Sequence, residues 1–474
     1  MNSPSGPVGL QSHSFLEHEA LNPRALTLSI LGPLCAKSST HAKRNRGGRP
    51  KAAKNPVEPL WFQLGLLVAV LVLAAAPLGA QTVPIAELLK DPAVSAAREF
   101  ARQGELRVIE DQVELTEVAA PGFKEGPRGL LMKRKFEELG LRNVRIDRVG
   151  NVIGERPGLS ARPNLVLAAH LDTVFPEGTD VRVKREGTLL RAPGISDDGR
   201  GLAVLLGVAR ALDAGRVQTR GSMTFVADVG EEGLSDLRGM RELFGVTLKD
   251  QIDAFMSIDG TDHGITTVGV GSHRYRVTFR GPGGHSFGAF GLVNPVHALG
   301  RAVAKIADLQ VPREPKVTFN VGRIGGGTSV NSIAADAWFE MDMRSSDAAA
   351  LGSIDASFQK AVDDSAREEN ERWNNGRLTV TKDLVGERPA GRTADSAAIV
   401  QTAIAVSKAL GLPVALGEGS TDANIPMSRG IPSITVGGGG KGTGAHSPAE
   451  AFDATDSWKG TERVLLLVIA LAGK

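Results

Sequence analysis

Short apolar runs alternate along this chain with stretches in which apolar residues recur every three or four positions. "PNLVLAAH" (163–170) is bounded by turn signals and predicts a buried strand. "GLAVLLGVARALDAG" (201–215) has helical spacing and stops on Gly215. "SMTFVADV" (222–229) and "AFMSIDG" (254–260) predict two further strands. This strand–helix–strand rhythm predicts an α/β fold, a mostly parallel sheet with helices on both faces.

After Gly271 the texture changes. "HRYRVTFRG" alternates apolar with polar residues, the mark of an antiparallel strand with one face in solvent. "NPVHALGRAVAKIADLQ" and "DAAALGSIDASFQKAVDDSAREEN" predict helices. "KVTFNVGRIGGGTSVNSI" and "AADAWFEMDMRS" predict strands. The block 272–385 therefore looks like an α+β domain inserted into a larger catalytic domain, whose two parts are 85–271 and 386–474. In the second part "SAAIVQTAIAVSKALG" is helical, and "PSITVGGGG" is a strand running into a glycine loop.

The polar residues fall on this outline in a regular way. His170 and Asp172 end one strand, Glu231 and Glu232 end the next, and Asp259 ends the third. Asp197 and Asp198 sit in "APGISDDGRG" before a helix, and His446 follows the late glycine loop. In an open parallel sheet, sites form outside the carboxyl ends of the strands. Taken singly, each group is an ordinary cap or turn. Together they converge on one edge.

Composition narrows the chemistry. The chain of 474 residues has one cysteine, Cys35, so a metal site in the body must use histidine and carboxylate. Zinc accepts that donor set, and two ions can share one carboxylate. A water activated there needs a base that binds no metal. Adjacent glutamates can divide those two tasks.

Charge is uneven. Residues 1–80 carry eight Lys/Arg against three Asp/Glu, whereas the remainder is slightly acidic and offers no electrostatic case for nucleic acid. Basic "KRNRGGRPKAAK" precedes "LWFQLGLLVAVLVLAAAPLGAQ", the pattern of a secretory signal. Residues 1–59 read as a disordered basic leader or a misassigned start. Residues 60–80 read as a signal core cleaved near Ala80, or as an uncleaved anchor. The expectation is export to the periplasm or beyond, with membrane attachment only if that segment is retained.

In this order, "HLDTV", "APGISDDGRG", "GEEG", "SIDG" and "GAHSPAEAFD" resemble the co-catalytic dizinc exopeptidases and deacylases. Glutamate carboxypeptidase, acetylornithine deacetylase, succinyl-diaminopimelate desuccinylase and peptidase T belong to that family. The resemblance spans about residues 90–474. It implies two zinc ions per subunit, with manganese or cobalt as alternatives. Asp197 would bridge them, His170 and Asp259 would complete one ion, and Glu232 and His446 the other. Glu231 would be the general base, and Asp172 would hold the His170 ring. The inserted domain would be a dimerisation lid, with His285 of "GPGGHSFG" reaching a partner's site to steady the oxyanion. Asn331 and Arg344 match substrate-binding positions, and Asp422 would help position substrate. Asp259 and "GSTDANIPMSRGIPSITVGGGG" lean toward the peptidase T-like members.

The expected activity is hydrolysis of an amide bond in a small peptide, with an aminopeptidase leaning. The rival on the same scaffold is a deacylase or carboxypeptidase acting on N-acyl amino acids. A rival of another class is a metal-binding or scaffold protein without catalysis, which would have no use for a non-ligating base beside its ligands.

Overall fold

The apolar runs build one central sheet in a computed structural model that describes residues 84–474. The basic leader and the apolar segment 60–80 lie outside the described residues. The strands of this sheet are β1 (Arg142–Ile146), β2 (Val152–Arg156), β3 (Asn164–His170), β4 (Ser222–Asp228), β5 (Ala254–Ile258) and β6 (Ile265–Gly269), all ahead of the insertion. The insertion contributes β7 (Gly271–Arg280), β8 (Val317–Gly326), β9 (Asp336–Ser345) and β10 (Thr379–Arg388). After it come β11 (Gly391–Arg392), β12 (Leu416–Gly419) and β13 (Ser433–Val436).

The central order is β1-β2-β4-β3-β5-β13-β6-β11, with β12 added on β6. Its middle, β4-β3-β5-β13, is parallel, as the continuous apolar runs predict. Its flanks, including β1-β2, β2-β4 and β13-β6, are antiparallel, so the sheet is mixed. Both faces are buried, and the period of two sorts side chains between them. Leu165, Leu167 and Ala169 of β3 enter the larger core, whereas Val166 and Ala168 enter the opposite one. The larger core is closed by α1 (Pro92–Gln103), α2 (Glu105–Thr116), α3 (Gly126–Glu138), α4 (Gly199–Ala214), and two later helices, Ala398–Ala409 and Trp458–Ala472. Short helical turns carrying Met240, Phe244, Ile425 and Met427 close the other face.

The inserted unit is a four-stranded antiparallel sheet, ordered β8-β9-β7-β10. Val277, Phe279, Phe339, Met341 and Met343 pack on one side against helices Pro295–Ala307 and Ala348–Trp373. By the same alternation, Arg274, Arg276, Glu340, Asp342 and Arg344 stand on the uncovered side. The lid leaves and returns through neighbouring strands, since Ser272 at the start of β7 pairs with Arg388 at the end of β10. Strand β10 runs three residues past the predicted boundary of 385, because its ladder with β7 continues to that pair. No helix among the described residues is long and apolar enough to cross a membrane.

Candidate active site

The parallel strands deliver their ends to one edge. His170 is the last residue of β3, and Asp259 follows β5 directly. Glu231 and Glu232 follow β4 after a turn at Gly230. Asp198 caps α4, accepting from Gly201 N at 3.0 Å, which leaves the preceding Asp197 at the helix mouth. His446 arrives after the glycine loop that continues β13. That loop requires glycine, because a Cβ on Gly439, which has φ 81°, would sit 2.6 Å from Gly460 N.

These side chains form three overlapping groups, two of which meet at one carboxylate. His170 Nε2 lies 3.0 Å from Asp197 Oδ1, and Asp259 completes that triad. His446 Nε2 lies 3.0 Å from Asp197 Oδ2 and 2.8 Å from Glu232 Oε1, which makes the second triad. Within each triad the potential ligand atoms lie within 4.8 Å of one another. Glu231 belongs to neither of these two, but it forms a third candidate ligand group with His170 and Glu232.

The electrostatics describe anions gathered in a dry place. Burial pushes the Asp259 carboxyl up to about 8, helped by the charge of Asp197. Burial and the neighbouring Glu231 push Glu232 up to about 7. For Asp197 burial acts the same way, but the hydrogen bonds from His170 and His446 outweigh it and hold the carboxyl below its usual range. The bond to Asp197 is the largest cause raising His446, to about 9. Three carboxylates, one of them shared, and two imidazoles are a donor set that fits a pair of divalent cations.

Residues behind this set hold it in place. The Asp172 carboxylate accepts from the backbone N–H groups of Gly230, Glu231 and Glu232 at 2.9, 3.0 and 2.9 Å. The His170 ring is held by the Asp172 main chain instead, with Nδ1 3.0 Å from its carbonyl oxygen. That contact leaves Nε2 free to act as a ligand.

A cavity of about 510 Å³ and another of about 390 Å³ meet at Asp259. The smaller is lined by Asp197, Glu231, Glu232 and His446 and by Arg274, Arg344 and Arg388. Asp342 fixes two of these arginines, accepting from Arg274 Nε at 3.0 Å and Arg344 Nε at 2.7 Å. Arg274, Arg388 and the buried Glu450 were missed in the sequence, where nothing near them in the chain marks their partners.

Three expected site residues lie elsewhere. Asp422 is fully buried beside Asp228 and does not line the cavity, so direct positioning of substrate does not fit its place. His285 ends one strand of a two-stranded ladder in the inserted unit and Asn331 precedes the other, both exposed and away from the cavity of their own chain. The Nδ1 of His285 accepts from the N–H groups of Phe287 and Gly288 at 3.3 and 3.2 Å, which puts the ring proton on Nε2.

Residues 166–470 match the profile of peptidase family M20/M25/M40. The chain belongs to this family. It is therefore a metallopeptidase or amidohydrolase. Over 356 residues, 70% of this chain and 90% of the relative, it is 25% identical to YqjE, an uncharacterized protein of Bacillus subtilis (strain 168). Over 226 residues, 46% of this chain and 54% of the relative, it is 26% identical to carboxypeptidase G2 of Pseudomonas sp. (strain RS-16). Among solved structures, a tripeptidase from Staphylococcus aureus superposes with a TM-score of 0.65 at 23% identity, covering 78% of this chain and 98% of that one. That last likeness speaks for the fold.

Proposed function

We propose that this M20-family hydrolase is an exported, zinc-dependent exopeptidase of the peptidase T-like kind, cleaving the amino-terminal residue from small peptides. The observation that carries the reading is the pair of triads sharing Asp197, with a further glutamate, Glu231, beside them that is hydrogen-bonded to Arg388. His170, Asp197 and Asp259 would hold one ion, and Asp197, Glu232 and His446 the other. The chemistry a metal pair supplies at such ligands is polarisation of the scissile carbonyl and a lowered pKa for the attacking water.

Glu231 takes a proton from that water as its oxygen adds to the carbonyl carbon. The same carboxyl returns the proton to the leaving nitrogen as the carbon–nitrogen bond breaks. Arg344 and Arg274, anchored on Asp342, offer a wall for the carboxylate of the leaving part. The larger cavity supports the aminopeptidase leaning. Asp259, Asp262 and Glu418 line it without any Lys, Arg or His, which suits a free terminal ammonium. His285 of a second copy would donate its Nε2–H to the tetrahedral oxyanion, which makes the active form a homodimer.

A deacylase or carboxypeptidase reading retains the support of the carboxypeptidase relative. A panel of free dipeptides and tripeptides against N-acyl amino acids separates the two. Cleavage of the acylated set alone would overturn the aminopeptidase reading. Glu231→Gln should keep metal content and fold while abolishing hydrolysis, and retained turnover would remove Glu231 from its role.

A further inference from the structure

The last strand of the lid ends inside the catalytic unit. Arg388, at the end of β10, is only 4% exposed. Its Nη1 donates to Oε1 of Glu231 at 3.0 Å and to Ser420 Oγ at 3.0 Å. Its Nη2 donates to the carbonyl oxygen of the same glutamate. One planar guanidinium thus grips both the side chain and the main chain of Glu231. Glu232, the next residue, turns instead to His446.

Three more bonds join the loop after Glu231 to the lid. Arg274 Nη1 donates to the Gly233 carbonyl at 2.7 Å. The Glu387 N–H donates to Asp236 Oδ1 at 2.8 Å, and Arg241 donates to the Glu387 carbonyl. Arg274, Glu387 and Arg388 lie on the lid strands β7 and β10, where the lid is attached. The loop that carries the two glutamates is therefore latched to the lid rather than held by its own unit alone.

We infer that Arg388 is a positioning residue for Glu231, and that the lid supplies it. By occupying Oε1 and the carbonyl, it competes with ligation by this glutamate alongside His170 and Glu232 and leaves Oε2 for the water. Two adjacent carboxylates beside the same cations would otherwise compete as ligands. Their different partners, a guanidinium for one and an imidazole for the other, assign them different tasks. The inference rests on Glu231 being the base.

The test compares Arg388→Ala, Arg388→Lys and Glu231→Gln with wild type, using the peptide that wild type cleaves best in the panel. The measurements are kcat, KM, bound metal and melting temperature, with and without non-denaturing guanidinium. Arg388→Ala should lose about 10²-fold in kcat with little change in KM, the usual cost of a misplaced catalytic group. Two metal ions should stay bound, added guanidinium should restore part of kcat, and Arg388→Lys should fall between. Should Arg388→Ala melt below the assay temperature, Arg388→Lys carries the test through its kcat against its KM. A kcat close to wild type, or a loss confined to KM, overturns the inference. So does a loss that neither guanidinium nor lysine relieves. An active Glu231→Gln would instead remove the base assignment beneath it.

Discussion

Glu450 accepts from Ser196 twice, from its backbone N–H at 2.8 Å and from its hydroxyl at 2.6 Å. The same carboxylate takes the N–H groups of Gly194 and Asp197, at 2.8 and 3.0 Å, and is fully buried. It therefore sets the loop that presents Asp197 to both triads. Glu450→Ala leaves buried backbone donors unpaired and should cost ~3 kcal/mol of stability. Metal affinity should weaken by about 10- to 100-fold, as when a group supporting a ligand is removed. Denaturant unfolding and metal titration of the same sample check both. Unchanged metal affinity would show that Asp197 needs no such support.

Asp228 and Asp422 face each other beneath the site, and among the described residues their carboxylate oxygens have no hydrogen-bond partner other than each other. Burial pushes Asp228 up to about 7, and burial with the charge of Asp228 raises Asp422 well above its ordinary range. A carboxyl raised in the fold stabilises it while protonated. That contribution is present below the unfolded value of 3.8 and is lost as pH rises through the folded one. The metal-free wild type should thus lose melting temperature between about pH 4 and pH 7, and Asp228→Asn should lose less. Parallel curves would mean that the pair holds no proton.

If His285 acts across a dimer, two inactive variants should repair each other. Mixed Glu231→Gln and His285→Ala chains form hybrids in which one site has both groups intact. Random mixing should restore about a quarter of wild-type activity, given two-fold symmetry. Co-expression and assay of the mixture measures this. No recovery in a proven hybrid would place His285 in its own chain's chemistry or outside it.

Chelation should abolish hydrolysis and lower the melting temperature, and zinc, cobalt or manganese should restore both. A ligand held at one hundred times its Kd stabilises by about 2.7 kcal/mol. Scanning calorimetry with and without chelator reads it. An equal melting temperature in both states would argue against metal at the triads.

The sheet was legible because its parallel strands are buried on both faces and so read as unbroken apolar runs. Polar residues at the ends of such runs have few places to go except the site. That is why His170, Glu231, Glu232 and Asp259 could be picked out from residue pattern. Arg388 could not, because its partner Glu231 is 157 positions away and only the lid's return brings them together. Glu450 is hidden in the same manner, 253 positions from Asp197. Asp422 misled for the opposite reason. Beside threonine and asparagine it looks like an exposed turn, yet the chain folds it under the sheet edge.

The position of β13 bears on how the chain comes off the ribosome. This strand sits between β5 and β6, both synthesised before the whole lid. His446 and Glu450 are made later still. A nascent chain that has completed its lid therefore holds a central sheet with a slot open in the middle and one of the three members of a triad absent. The lid, whose strands are contiguous in sequence, can mature first, while the hydrolytic centre waits for the segment that carries β13 and His446. Premature termination there would release a stable lid on a catalytic unit with an unfilled seam, a species prone to aggregate and unable to turn over substrate.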